Sequence, residues 1–121
     1  MQLKLESGNG IYVRSFSPGE LRIDDRILTE PVILTPEKII ADWRPPPLDQ
    51  LSIDDFGAAL AAGPEVILLG TGIAQTFPPV TLMTDIMRAG IGFEVMATAA
   101  ACRTFNVLAS EGRKIAAALI V

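Results

Sequence analysis

Histidine and cysteine, the side chains on which most nucleophilic and metal sites depend, are nearly absent from this chain. The chain contains no histidine and one cysteine, Cys102. Ser-His-Asp and Cys-His pairs, histidine-bearing metal sites and an intramolecular disulfide are all excluded on that ground. No metal site, cofactor or catalytic residue is expected. The segment with most to offer a ligand is Gly70-Thr71-Gly72, together with Thr98. Glycines permit close backbone approach, the two threonines supply hydroxyls, and each stretch leads from a strand toward a helix N-terminus whose free N–H groups favour anions. Gln75 stands where the third glycine of a GxGxxG fingerprint would fall, and GxxxxGK[ST] is absent. A plain tight turn is the competing reading of the same residues.

Cys102 admits two readings. Near the start of a helix a thiolate can be stabilised, which would suit a nucleophile or redox thiol. Projected at ~100° per residue, however, Ala101, Cys102, Phe105, Leu108 and Ala109 fall on one side of a helix over 98–109, which buries the thiol as a small hydrophobe. The opposite side carries Ala100, Arg103, Asn106 and Val107. Arg103 reads most simply as solvated, yet Ala99, Ala100 and Val107 leave this outer face unusually apolar, which implies a cover. Either an N-terminal β layer or a partner protein could supply it, and Ala100, Arg103 and Val107 are the candidate partner-binding residues.

The elements that must hold these residues follow from pattern and punctuation. Residues 11–16 alternate and include aromatic and β-branched types, as a half-buried strand does. Ser17-Pro18-Gly19-Glu20 suits a type II turn that brings 21–23 back antiparallel, and Asp24-Asp25 signals the next turn before 26–28. A further short strand is expected at 32–34, bounded by Pro31 and Pro36. Trp43-Arg44-Pro45-Pro46-Pro47 reads as a rigid connector with Trp43 packed beneath it, or as a ligand for a proline-binding module. Ser52 fits an N-cap, with Asp54 and Asp55 in the first turn and Gly63-Pro64 ending the helix.

From Glu65 onward the pattern becomes strand, helix, strand, helix, strand. The apolar run 66–69 suits a strand buried on both faces, and Val80, Met83, Ile86 and Met87 recur at helical spacing before Gly90. Residues 93–96, a helix over 98–109 and a strand within 114–121 complete the chain. One helix between successive strands implies right-handed crossovers and parallel pairing. The expectation is a three-layer single α/β domain over 1–121, with a central mixed, mostly parallel sheet flanked by helices and an N-terminal antiparallel β layer.

Composition agrees with this class. Of the 121 residues, 50% are hydrophobic and 20% charged, too apolar for disorder, while no run approaches the ~18 consecutive apolar residues of a membrane span. A net charge of -4 offers no broad basic footprint for nucleic acid. The residues 1–6 resemble neither a secretory signal nor a mitochondrial presequence, so a soluble, cytoplasmic protein is expected. The composition leaves homo-oligomerisation open.

The stretch 94–113, EVMATAAACRTFNVLASEGR, together with Gly70-Thr71-Gly72, Trp43-Arg44-Pro45 and Ala116-Ala117-Ala118-Leu119 in that order, resembles a small α/β family of unknown function. That family includes a mitochondrial complex I assembly factor and an adipogenesis-associated protein. The resemblance implies the same three-layer fold and a link to protein assembly, and it carries over no catalytic residue. An interaction or assembly module without chemistry of its own is therefore expected. A small-molecule or anion-binding protein, and through it an enzyme, is the alternative, with its site at Gly70, Thr71, Gly72 and Thr98.

Overall fold

The computed structural model describes residues 10–121. Two sheets form. Strands β1 (Val13–Ser17), β2 (Glu20–Ile23) and β3 (Arg26–Leu28) make a three-stranded antiparallel meander. Its first turn is the Pro18-Gly19 pair, with Gly19 at φ 84° closing Ser17 onto Glu20, and its second turns through Asp24 at φ 53°. Glycine and aspartate tolerate this left-handed region where bulkier residues are strained. The N-terminal strand begins at Val13, two residues later than its alternating pattern suggested.

The central sheet has the order β5-β4-β8-β6-β7, formed by β4 (Val32–Leu34), β5 (Ile39–Ile40), β6 (Val66–Gly70), β7 (Gly92–Met96) and β8 (Ile115–Leu119). Strands β6, β7 and β8 run parallel, while β4 is antiparallel to β8 and β5 to β4. Every residue of β6 and β8 is buried, as an apolar strand covered on both faces requires. Alanines 116, 117 and 118 at the centre of β8 place short side chains opposite Phe105 on one face and Phe56 on the other. Large and small partners thus interdigitate across the sheet. The two-residue β5 carried no strand signal of its own; it exists because Ile39 and Ile40 pair with β4.

Each face has its own cover. On one, α3 (Thr98–Ser110) and the three-stranded meander together bury Val32, Leu34, Val66, Leu68, Ala117 and Leu119. On the other, α2 (Val80–Arg88), the short α1 (Gly57–Ala61) and the 3-10 turn Ile53–Phe56 that precedes it bury Ile33, Ile67, Leu69 and Ala118. The Ser52 N–H donates to Asp55 Oδ2 at 2.9 Å, and Gly63 at φ 68° follows the helix end. The proline connector crosses this side with Trp43 buried under it, its indole N–H donating to the Asp55 carbonyl at 2.8 Å and its ring 5.8 Å from Phe56. Among the described residues, no helix is long and apolar enough to cross a membrane.

The outer flank of α3 is partly covered by the chain itself. Asn106 accepts a hydrogen bond from the Val13 N–H and donates one to the Val13 carbonyl, both at 2.9 Å, so its amide substitutes for a neighbouring strand. Removing both bonds in Asn106→Ala leaves two polar groups of a buried residue without partners. Urea denaturation should show a loss of about 1–3 kcal/mol, together with faster amide exchange at Val13. Unchanged stability would assign the anchoring of the meander to its apolar contacts alone.

Candidate functional site

Gly70 ends β6 between Met96 of β7 and Leu119 of β8, so the candidate residues meet at the C-terminal edge of the parallel strands, where open α/β sheets bind ligands. The structure brings Gly70, Thr71, Gly72 and Thr98 together there. Their hydrogen-bonding capacity is turned inward. Thr98 is fully buried; its hydroxyl donates to the Ile120 carbonyl at 2.7 Å and accepts from the Gly72 N–H at 2.8 Å. The Thr98 N–H donates to the Gly72 carbonyl and the Ile120 N–H to the Gly70 carbonyl, each at 2.9 Å.

The glycines serve this junction in two different ways. A Cβ on Gly70 would lie 2.9 Å from Thr98 Oγ1 and 3.0 Å from Leu119 Cδ2, so glycine makes room for the buried threonine. Gly72 has open space around it but sits at φ 95°, where a side chain is strained whatever the room. Thr71 is likewise engaged: its hydroxyl donates to the Ala74 carbonyl at 2.6 Å and accepts from the Thr76 N–H at 3.1 Å. The loop that follows is fastened to the sheet by Gln75, whose amide donates to the Val95 carbonyl at 2.9 Å.

Concave surface lies elsewhere. One shallow, widely open depression lies on the β1–β2 pair beside Arg14, Arg22, Asp24 and Asp25. Another, about 430 Å³, lies at the opposite edge of the central sheet, lined by residues that include Thr35, Glu37, Arg113 and Lys114. There Arg113 donates to Glu65 at 2.9 Å, and this hydrogen bond, then the carboxylate's charge, holds the guanidinium above its ordinary pKa. Among the described residues, no His, Cys, Asp and Glu side chains cluster as a metal site.

Cys102 faces the sheet in the core with Ala101 and Phe105. Desolvation pushes its thiol up to about 12, against a smaller lowering by Arg103. Its neutral form is thus favoured, the opposite of what a nucleophile needs. Of the candidate partner residues on α3, Ala100 is half-buried, Arg103 is exposed and Val107 is 54% exposed.

A second apolar surface does not stand out from pattern alone. Ile73, Phe77, Val80 and Met87 stand in solvent, from 61% exposed at Met87 to 78% at Ile73. Helical spacing correctly indicates α2, but its inward side is Leu82 and Ile86, which leaves Val80 and Met87 outside. A usable signal is present: no charged residue occurs between Glu65 and Asp85, although only part of that stretch is strand.

Comparison with known proteins agrees with this architecture. The family model described as "Protein of unknown function (DUF498/DUF598)" matches residues 13–120. The chain belongs to this family. Among its relatives, "NADH dehydrogenase [ubiquinone] 1 alpha subcomplex assembly factor 3" of Danio rerio is 33% identical over 99% of this chain and 68% of that protein. The "13 kDa major membrane protein" of Francisella tularensis is 41% identical over a segment covering 50% of each chain. A Xanthomonas campestris protein solved by NMR shares the fold with a TM-score of 0.85 at 41% identity, covering 100% of this chain and 92% of that one.

The threonine junction and the thiol generate two predictions. Thr98→Val keeps the shape but strands the Gly72 N–H and the Ile120 carbonyl, so it should cost about 1–3 kcal/mol per unsatisfied group in a denaturant melt. Thr98→Ser, which keeps the hydroxyl, should lose much less; equal losses would show that the methyl group, rather than the hydrogen bonds, matters. For Cys102, thiol labelling should be slow in the native state and fast after unfolding. Because the folded pKa lies above its ordinary value near 9.0, the unfolded thiol ionises first as pH rises. The stability associated with the thiol is therefore complete below pH 9.0 and is lost toward about 12. Cys102→Ala should flatten that part of the alkaline stability profile, and an unchanged slope would contradict the assignment.

Proposed function

We propose that this protein is an assembly-type interaction module that binds another protein and has no chemistry of its own. The observation that carries the reading is a contrast at one end of the sheet. The edge where a ligand would sit is filled by the chain's own Thr98, while beside it uncharged apolar side chains, Ile73 and Phe77 among them, project into solvent. Large apolar side chains exposed close together in the chain are candidates for an association surface in soluble proteins. The inward bonding of Thr98 and the crowding at Gly70 disfavour the alternative of a small-molecule or anion site at Gly70, Thr71, Gly72 and Thr98.

The name of the Danio rerio relative, a complex I assembly factor, supports an assembly role for this chain. The partner surface comprises the α3 flank of Ala100, Arg103 and Val107 and the surface of Ile73, Phe77, Val80 and Met87. A cytoplasmic location belongs to the same proposal, and the name of the Francisella relative supplies the contrary outcome, recovery in a membrane fraction.

Val107→Glu and Phe77→Asp place charges on exposed positions, so each variant should melt within about 0.5 kcal/mol of the parent. Tagged versions expressed in the native cells should lose proteins that co-purify with the parent chain. Folded variants that retain every such protein would remove these surfaces from the interface, and recovery of a stoichiometric small molecule would favour the alternative.

A further inference from the structure

Strand β7 ends the central sheet, and among the described residues nothing pairs with its outer edge. In a parallel ladder, alternate residues direct their backbone groups to the same neighbour. The Gly92 N–H donates to the Glu65 carbonyl and the Met96 carbonyl accepts from the Thr71 N–H, each at 2.9 Å, so Gly92, Glu94 and Met96 bond inward to β6. The N–H and C=O groups of Phe93 and Val95 therefore point away from the sheet. Among the described residues, only the Val95 carbonyl of these four groups is engaged, by Gln75.

We infer that the outer edge of β7 is a docking site for an extended segment of a partner protein, which adds as a sixth strand and sets a lysine or arginine opposite Glu94. The inference rests on the interaction-module reading and specifies how the partner is held. Packing beneath the strand holds this edge in place before any partner arrives. Phe93 packs edge-on against Phe56, with ring centroids 5.9 Å apart, and Val95 is buried in the same cluster. The other face of the strand presents Gly92 and Glu94 to solvent, beside the α3 flank where Thr104 meets Met96. An added strand would run beside that flank of α3.

Charge disfavours a second copy in the best-overlapped register. Antiparallel pairing of two β7 strands through their outward groups, with all five residues of Gly92–Met96 overlapped, sets Phe93 of each copy against Val95 of the other and Glu94 against Glu94. Like charges directly opposite each other in a sheet are destabilising, and charged residues on edge strands discourage self-pairing. Glu94 is exposed and belongs to no ion pair among the described residues. A segment with a cation at that register and apolar residues around it meets both the charge and the neighbouring apolar surface. Strand addition of this kind draws affinity from main-chain hydrogen bonds and selectivity from alternate side chains.

A display library of nine-residue peptides, selected against the full chain, tests the inference. Enriched peptides should carry Lys or Arg at one fixed position, and in NMR titrations they should shift the Phe93 and Val95 amides and protect them from exchange. Glu94→Lys should weaken those peptides about tenfold and invert the preference to Asp or Glu. Gln75→Ala, which frees the Val95 carbonyl, should strengthen them about threefold. An absence of enriched peptides, enrichment indifferent to Glu94→Lys, or unmoved Phe93 and Val95 amides would overturn the inference. A concentration-dependent dimer strengthened by Glu94→Lys would also overturn it, by assigning the edge to a second copy. If Val107→Glu abolishes co-purification of cellular proteins while Glu94→Lys and the peptides leave the β7 edge unaffected, strand addition fails and the interaction-module reading stands.

Discussion

The buried hydroxyl of Thr98 joins three segments that are distant in sequence: the loop after β6, the first turn of α3 and the end of β8. Each bond satisfies a backbone group that would otherwise be stranded where the central strands leave the sheet, and buried polar groups are costly when unpaired. The starting point of α3 is fixed by this junction. The crossover from β7 over β6 to β8 is fixed with it, as is the placement of Ala101, Cys102 and Phe105 on the sheet. Gly70 is its complement, since a methyl group there would press into the threonine. A sheet edge that in many α/β proteins receives a ligand is closed here by the protein's own chain.

Closure at that edge leaves the remaining asymmetry of the molecule at its flanks. On the β4 side the meander covers the sheet and is pinned to α3 through Asn106 and Val13. Among the described residues nothing pairs with the outer edge of β7, and there the molecule combines outward backbone groups with the exposed carboxylate of Glu94. The loop from Thr71 to Pro79 stands at the same end, fastened by Gln75 yet displaying Ile73 and Phe77.

Much of the fold was legible from residue order. The all-apolar β6, the Pro18-Gly19 turn, the Gly63 stop and the amphipathic projection of α3 each act through local sterics or periodicity, which neighbouring residues alone can express. The inward side of α3, including Cys102, follows from the same projection and agrees with the structure. The candidate edge of Gly70, Thr71, Gly72 and Thr98 was also legible as a juxtaposition, because parallel strands must release their loops at one end. Whether its hydroxyls faced a ligand or the chain depended on Ile120, a residue 22 positions from Thr98.

The sequence by itself determined the class of fold, the identity of the central strands and the exclusion of histidine-based chemistry, since these depend on composition and short-range pattern. Tertiary structure decided that Asn106 binds Val13 across 93 positions of sequence, that Gln75 reaches Val95, and that Val80 and Met87 lie outside the core. Helical periodicity specifies which residues share a side, but what covers that side depends on the packing of the rest of the chain. The two-residue β5 became a strand, and β7 an edge, only through the order in which the sheet assembled, because which strand lies beside another is set by topology.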